Sequence, residues 1–391
     1  MPFAAGSSVQ ADLPGAVTEA CRPIVHRLAG KPADLTVVFV THGHHGQWGQ
    51  LPELLRAALP TRCMIGCSAE AVIADGREIE SGPAVVVWSA VLPGAELLPF
   101  QIGFERTPDG ILCTGIPEWS ETDPRDMRAV LALGEPYSSA PVSLLERLED
   151  ELPRVPVIGG MASGALGPGD NRLFLQGETV ASGAVAVAVR GGPAIRTLVS
   201  QGCRPIGSPF VVTRAEQNVI AELGGRPALE RLQEVYELLS EHDKELLSNG
   251  VHLGLAINEY QDRFSHGDFL IANVLGARRD TGAIAIGNLV RTGQTVQFHV
   301  RDAMSADDDL RNMLEEHRQR RRPPPAAALL FSCNGRGRRL FHEPDHDAAA
   351  VQSALGPLPL AGFFANGEFG PVGGRSYIHG FTASLALFDE E

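Results

Sequence analysis

Leu360–Ala361–Gly362–Phe363–Phe364–Ala365 ends an apolar strand on a small residue, and the chain writes the same ending twice more. The other two copies are Met64–Ile65–Gly66–Cys67–Ser68–Ala69 and Val157–Ile158–Gly159–Gly160–Met161–Ala162. Working outward, each is preceded by a first strand (Val37–Val40, Ala129–Leu133, Ala328–Ser332), a polar loop and a helix (Leu51–Leu59, Ser143–Glu151, Asp347–Leu355). Each is followed by a Gly-rich turn and a last apolar strand: Ala84–Leu92, Ala184–Val189 and Phe381–Phe388. A strand, a helix and a strand in succession predict a parallel pair joined by a right-handed crossover. The last strand follows a shorter connection and suits antiparallel pairing. The fold class is therefore α/β: repeated strand-helix-strand-strand units forming mixed sheets, in two modules.

Between the second and third units lies a stretch of different character. It has a strand at Phe210–Thr213, a turn at Gly224–Gly225 and one amphipathic helix from Pro227 to about Leu247. Strands Val251–Ile257, Phe269–Leu275, Ala283–Ile286 and Thr295–Val300 follow, and then a helix at Ser305–His317. The pattern sets a module boundary near Gly224. The first twenty residues, rich in small and polar types, read as a loose lead-in.

With 391 residues, 44% hydrophobic and 20% charged, the chain is ordinary globular protein with ample core. A net charge of −14 without a basic stripe excludes nucleic acid as the expected partner. The one basic run, 318–322, precedes Pro323–Pro325 and reads as a helix end entering a linker. No apolar stretch is long enough to span a bilayer, and no secretory leader opens the chain, so membrane insertion is not expected. Six scattered cysteines without a CxxC pair predict a reduced, cytoplasmic setting.

The three polar loop sets fall at equivalent places, and the third is the richest in reactive groups: Cys333, Asn334, Arg336, Asn366 and Glu368. If its first two strands are parallel neighbours, their carboxyl ends share one sheet edge, where open α/β sheets bind ligands. Arg336 offers a planar fork for a carboxylate, Glu368 can receive an ammonium, and the two asparagines donate and accept. Together they would complement an amino-acid zwitterion; the structural alternative pairs Arg336 with Glu368. Cys333 is the sole candidate catalytic residue, as a thiol near arginine, but its motif holds no base. His342–His346 matches HExxH as a string, yet Pro344 cannot sit between two ligands on one helix, which rules out the zinc protease. His42, His44 and His45, with His379, are candidate metal or haem ligands. Gly66, Gly159 and Gly362 read as architectural, because all three units carry them.

The segments IGCSAEAVIADG (Ile65–Gly76), PVIGGMASG (Pro156–Gly164) and GCRPIGSPFVVTRAEQNVIAELGGRPALE (Gly202–Glu230) resemble the FIST family. So do LLFSCNGRG (Leu329–Gly337), GFFANGEFGPVGG (Gly362–Gly374) and HGFTASLAL (His379–Leu387), in family order. The resemblance implies an N-terminal FIST domain at about residues 24–223 and a C-terminal one at 224–391. It implies an intracellular signal-transduction sensor that binds a small molecule such as an amino acid, and a separate output protein such as a kinase. Some members are haem-binding nitric oxide sensors, which makes haem the alternative ligand; an enzyme using Cys333 is the second alternative. The chain departs from the family at Ala69–Glu70–Ala71, where Gly-Glu endings are common.

Overall fold

The computed structural model of the chain describes residues 2–390 apart from 109, 120–123, 166, 261–263, 265–266 and 321–322. The chain divides into two compact units. One comprises Met1–Val199, Arg311–Ile378 and Thr382–Glu391; the other comprises Ser200–Leu310 and His379–Phe381.

The first repeat opens with β1 (Phe3–Ser8) and α1 (Leu13–Arg27), then runs β2 (Ala33–Thr41), α2 (Leu51–Ala58) and β3 (Thr61–Ala69). A hairpin, β4 (Val72–Ala74) and β5 (Arg77–Ile79), precedes β6 (Val85–Ala90). The second repeat follows the hairpin β7 (Ala95–Thr107) and β8 (Gly110–Thr114). It runs β9 (Met127–Gly134), α3 (Pro141–Glu151), β10 (Val157–Met161), a hairpin β11 (Leu173–Leu175) and β12 (Glu178–Val180), and β13 (Ala184–Gly191). After β14 (Ile195–Gln201) come β15 (Cys203–Glu216), β16 (Val219–Leu223), β17 (Arg226–Pro227), α4 (Ala228–Leu238) and α5 (Glu241–Ser248). Next are β18 (Val251–Ala256), β19 (Phe269–Ala277), β20 (Ile284–Ile286), β21 (Thr295–Arg301) and α6 (Ala303–Gln319). The third repeat then runs β22 (Ala327–Cys333), α7 (His346–Leu355), β23 (Leu360–Ala365), a hairpin β24 (Glu368–Val372) and β25 (Arg375–His379), and β26 (Thr382–Phe388).

Within each repeat the first strand pairs parallel with the second and antiparallel with the last: β2 with β3 and β6, β9 with β10 and β13, β22 with β23 and β26. The predicted parallel pairs and antiparallel last strands are present. The hairpins do something periodicity does not signal: each leaves its own repeat and joins the next one's sheet. β4 pairs with β23, β11 with β3 and β24 with β10. The exchange is cyclic, first repeat to third, third to second, second to first, so the three sheets close around a pseudo-threefold axis.

Alternation along the first strands explains why they are apolar throughout. Val37, Phe39, Leu131, Leu133, Leu329 and Phe331 point into one shared core, in which Phe39 meets Phe363 at 4.8 Å. Val38 and Val40 face α1 and α2 side chains instead, and Val130 and Ala132 face those of α3. Both faces are covered, as parallel sheets require.

The three repeated glycines are fixed by that geometry. A Cβ on Gly66 would lie 2.1 Å from the Val38 carbonyl oxygen, on Gly159 2.0 Å from that of Ala132, and on Gly362 1.8 Å from that of Leu330. In all three the glycine's register partner is that same residue of the parallel strand, and on its other side it faces the exchanged hairpin, at Phe174, Phe369 and Ile73 respectively.

In the second unit the strand order is β15-β21-β18-β19-β20-β16, and β15 pairs again with β16, closing a six-stranded barrel with β17 beside it. Ile206, Val212, Ile220, Leu253, Val296 and Phe298 belong to its core.

Two local readings are corrected. The supposed lead-in is β1 and α1, buried at Phe3, Leu13, Val17 and Ile24; Asp12 caps α1 through the Gly15 amide, and Pro14 sits in the first turn. The single helix expected from Pro227 to Leu247 is two. Leu239 turns extended, and Ser240 starts α5 by accepting from the Asp243 amide at 3.1 Å, a new N-cap that interrupts the apolar stripe. The helix ending before the proline run is α6; residues 321–322 of the basic run lie outside the described residues.

Candidate functional site

Because the repeats close cyclically, the carboxyl ends of β2, β3, β9, β10, β22 and β23 arrive at one place. The parallel register aligns Val38, Ala132 and Leu330, and with them the positions just past each strand end. Four residues beyond Val38, Ala132 and Leu330 stand His42, Pro136 and Asn334, and four beyond their partners Gly66, Gly159 and Gly362 stand Glu70, Ser163 and Asn366. All six line a cavity of about 400 Å³, with Tyr137, Ala162 and Asn171 among the remaining walls. That volume lies in the range of small-molecule sites.

Main-chain bonds stitch this end of the unit together across repeats. The Asn366 amide donates to Met161 O at 2.9 Å, the Ser163 amide to Ser68 O at 3.2 Å and the Phe364 amide to Ala71 O at 3.0 Å. The Ser163 hydroxyl accepts from the Glu70 amide at 2.9 Å and donates to Phe364 O. A Cβ on Gly160 would come within 2.9 Å of the Ala365 Cβ, which is why the residues at this convergence are small.

The carboxylates around the cavity are already engaged. Arg339 donates from Nη1 and Nη2 to both oxygens of Glu70, and its Nη1 also reaches Asn334 O at 2.8 Å. Glu135, fully buried behind the wall, accepts from the Tyr137 amide at 3.0 Å and the Ser138 hydroxyl at 2.6 Å, and lies 3.4 Å from Asn171 Nδ2. His42 holds Gly164 O through Nδ1 at 2.8 Å, leaving Nε2 for another partner.

Of the third-repeat residues expected to form the site, Asn334 and Asn366 line the cavity. The other three do not. Arg336 is 0% exposed, and its fork is taken by Asp347: Nε donates to Oδ2 at 2.7 Å and Nη2 to Oδ1 at 2.8 Å. Asp347, rather than Glu368, is its partner. Ser332 and His346 complete the ring around Asp347, whose carboxyl Arg336 holds well below the usual range despite burial. Glu78, from the exchanged β5, accepts from the Asp347 and Ala348 amides at 2.8 and 3.1 Å and so caps α7; burial first, and the neighbouring Asp347 second, push its carboxyl up to about 7. Glu368 is also 0% exposed, with Oε2 accepting from the Thr382 amide and hydroxyl, and burial pushes it up to about 8. It is not placed to meet an ammonium.

Cys333 corresponds by register to Thr41 and Glu135, both buried residues that brace their loops from behind. It is 7% exposed and its Sγ accepts from the Gly335 amide at 3.4 Å. The partly exposed thiol that catalysis calls for is not seen.

The histidine set is dispersed. His42 and His45 pack against each other and His45 meets Trp48 edge-on, while His44 is 2% exposed, with neither ring nitrogen hydrogen-bonded among the described residues and its pKa lowered by burial. His379 is buried. No group of three metal-ligating side chains occurs among the described residues. The cavity that His42 reaches, about 400 Å³ and lined by carboxamides, a serine and a paired carboxylate as well as by Pro136, Tyr137 and Ala162, is not the wide apolar cleft that haem needs.

Glu70, Ser163, Pro136, Tyr137, Asn171 and Arg339 are the residues sequence reasoning missed. The signal was available for three of them: Pro136, Glu70 and Ser163 stand, like His42, at the repeat positions of Asn334 and Asn366. Choosing the most reactive loop hid the ring.

Sequence models of the FIST N domain and the FIST C domain match residues 34–226 and 228–371. Among relatives, an uncharacterized protein of Mycobacterium tuberculosis (strain CDC 1551 / Oshkosh) is 43% identical over 388 residues, 99% of this chain and 100% of its own length. An uncharacterized protein of Mycobacterium bovis (strain ATCC BAA-935 / AF2122/97) is 42% identical over 391 residues, covering both chains completely.

Proposed function

The chain belongs to the FIST family, a family of signal-transduction sensory domains, and from that premise we propose that it is a small-ligand sensor whose binding site is the axial cavity. The observation that carries this is the meeting of six strand ends from three repeats on one cavity of about 400 Å³. A ligand there touches all three repeats at once, so its binding energy acts on their common packing rather than on one loop. Asn334 and Asn366 bind it, with His42, Ser163 and Tyr137 as further contacts. The setting is cytoplasmic, and a separate output protein, such as a kinase, reads the ligand-bound state. No helix among the described residues is long and apolar enough to cross a membrane.

An amino acid remains a candidate on different residues from those first named: Glu70 and Arg339 hold opposite charges at the cavity, but they hold each other. The test is calorimetry of the intact protein against a metabolite panel, with Asn366→Ala and Asn334→Ala as variants. Loss of roughly tenfold in affinity in either variant, the size expected for an emptied hydrogen-bonding position, supports the site. Unchanged affinity in both removes it.

A further inference from the structure

We propose that the axial cavity selects an uncharged ligand with an amide-like edge, a carbonyl beside an N–H, as in a carboxamide, lactam or imide. This rests on the reading of the cavity as the ligand site. Asn334 and Asn366 follow β22 and β23, whose register ends at Cys333 opposite Ala365, and the Asn334 amide extends that ladder to Ala365 O at 2.8 Å. Their backbones therefore stand about one strand spacing apart, roughly 4.8 Å, and both side chains line the same cavity. The Asn366 side chain makes no hydrogen bond among the described residues, and Asn334 Oδ1 receives only a long thiol contact at 3.9 Å. Each carboxamide thus presents a donor and an acceptor in one plane, the complement of another amide edge.

The charged groups point the same way. Both Glu70 oxygens are engaged by Arg339, and both Glu135 oxygens by the Tyr137 and Ser138 donors and Asn171. A carboxylate or ammonium entering the cavity finds a counter-charge only by breaking the part-exposed Glu70–Arg339 pair, whereas a neutral amide leaves that pair intact. Pro136 and half-exposed Tyr137 add an apolar wall from the second repeat, against which a flat ring can lie.

The experiment is titration calorimetry of the full chain with nicotinamide, uracil, acetamide, glycine and acetate. The neutral amides are expected to bind, with affinity unchanged between about 0.05 and 0.5 M salt, a range that screens charge pairing. Asn366→Asp, which removes two donors, should weaken nicotinamide and uracil by roughly tenfold or more, while Glu53→Gln, exposed on α2 and outside the cavity lining, should leave them within about threefold. Glycine binding more tightly than the neutral amides, with loss on Glu70→Gln and strong salt dependence, overturns the proposal and leaves the cavity as a zwitterion site. Binding of any probe unaffected by the Asn366→Asp and Asn334→Asp variants overturns the cavity itself. Binding of no probe overturns the neutral-amide preference.

Discussion

Burial holds the Glu368 carboxyl up at about 8, against the pull of the Thr382 donors and the Arg336 charge. A carboxyl whose pKa is higher folded than unfolded binds its proton more tightly in the native state. Its stabilisation is complete below the unfolded value and is lost as pH rises toward the folded one. Stability should therefore fall between about pH 4.5 and 8, with Glu78, raised to about 7, contributing in the same window. Asp347 works in the opposite sense, its depressed carboxyl stabilising above its unfolded pKa and losing that contribution in acid. Glu368→Gln keeps an oxygen for Thr382 but cannot ionise. Urea midpoints measured from pH 5 to 8 should decline less steeply in the variant than in the parent; parallel declines would assign the loss to other groups. Sequence showed that these residues were chemically loaded, but not whether they faced a ligand. Arg336 and Glu368 have the right chemistry for a zwitterion, and only the positions of Asp347 and Thr382, 11 and 14 residues away, reveal that each is engaged inside the wall.

At the level of elements, what was legible is what periodicity and crossover rules encode. The strand-helix-strand units, their parallel pairs and the antiparallel last strands follow from local pattern, since each is decided by the residues within it. The hairpin exchange does not, because β4 and β11 have the same composition whichever sheet they join. The glycines carry that information indirectly: Gly362 lies between Leu330 and Ile73, its partners on β22 and on the hairpin from the first repeat. Gly362→Ala places a Cβ 1.8 Å from the Leu330 carbonyl oxygen, so β23 must move away from β22. Denaturant titration should show a loss of about 1–3 kcal/mol or more, the range for overpacking a tight interior. Gly46→Ala, with no heavy atom within 4 Å of the new Cβ, should stay within about 0.5 kcal/mol of the parent. Equal effects at the two positions would contradict the close approach.

At the scale of the whole chain, sequence order and compact grouping part company. A division near Gly224 follows the order of the segments, and the family matches also meet there, at 226 and 228. Yet Arg311–Ile378 and Thr382–Glu391 group with Met1–Val199, and the barrel residues between them form the other unit. Pattern along a chain says which segments are strands, but a ring closed by its last repeat has no local signature. The consequence is specific. A chain ended after Leu310 keeps the first two repeats but loses β22, β23 and β26, so the β4–β5 hairpin has no sheet to join and β10 loses β24. Phe39, packed at 4.8 Å against Phe363, and the shared-core faces of Val37, Leu131 and Leu133 would meet water. Exposing several large apolar side chains, at about 1.5–3 kcal/mol each, exceeds what a marginally stable domain can absorb. The shortened chain should therefore be digested rapidly across residues 2–199 in limited proteolysis, while the intact chain resists there. Supplying residues 311–391 as a separate polypeptide should restore protection, because the closure needs the strands and not the connection. A truncated chain as resistant as the parent would mean that the first two repeats are self-sufficient and that the third merely decorates them. The cyclic pairing, in which every repeat depends on a hairpin from another, predicts the opposite.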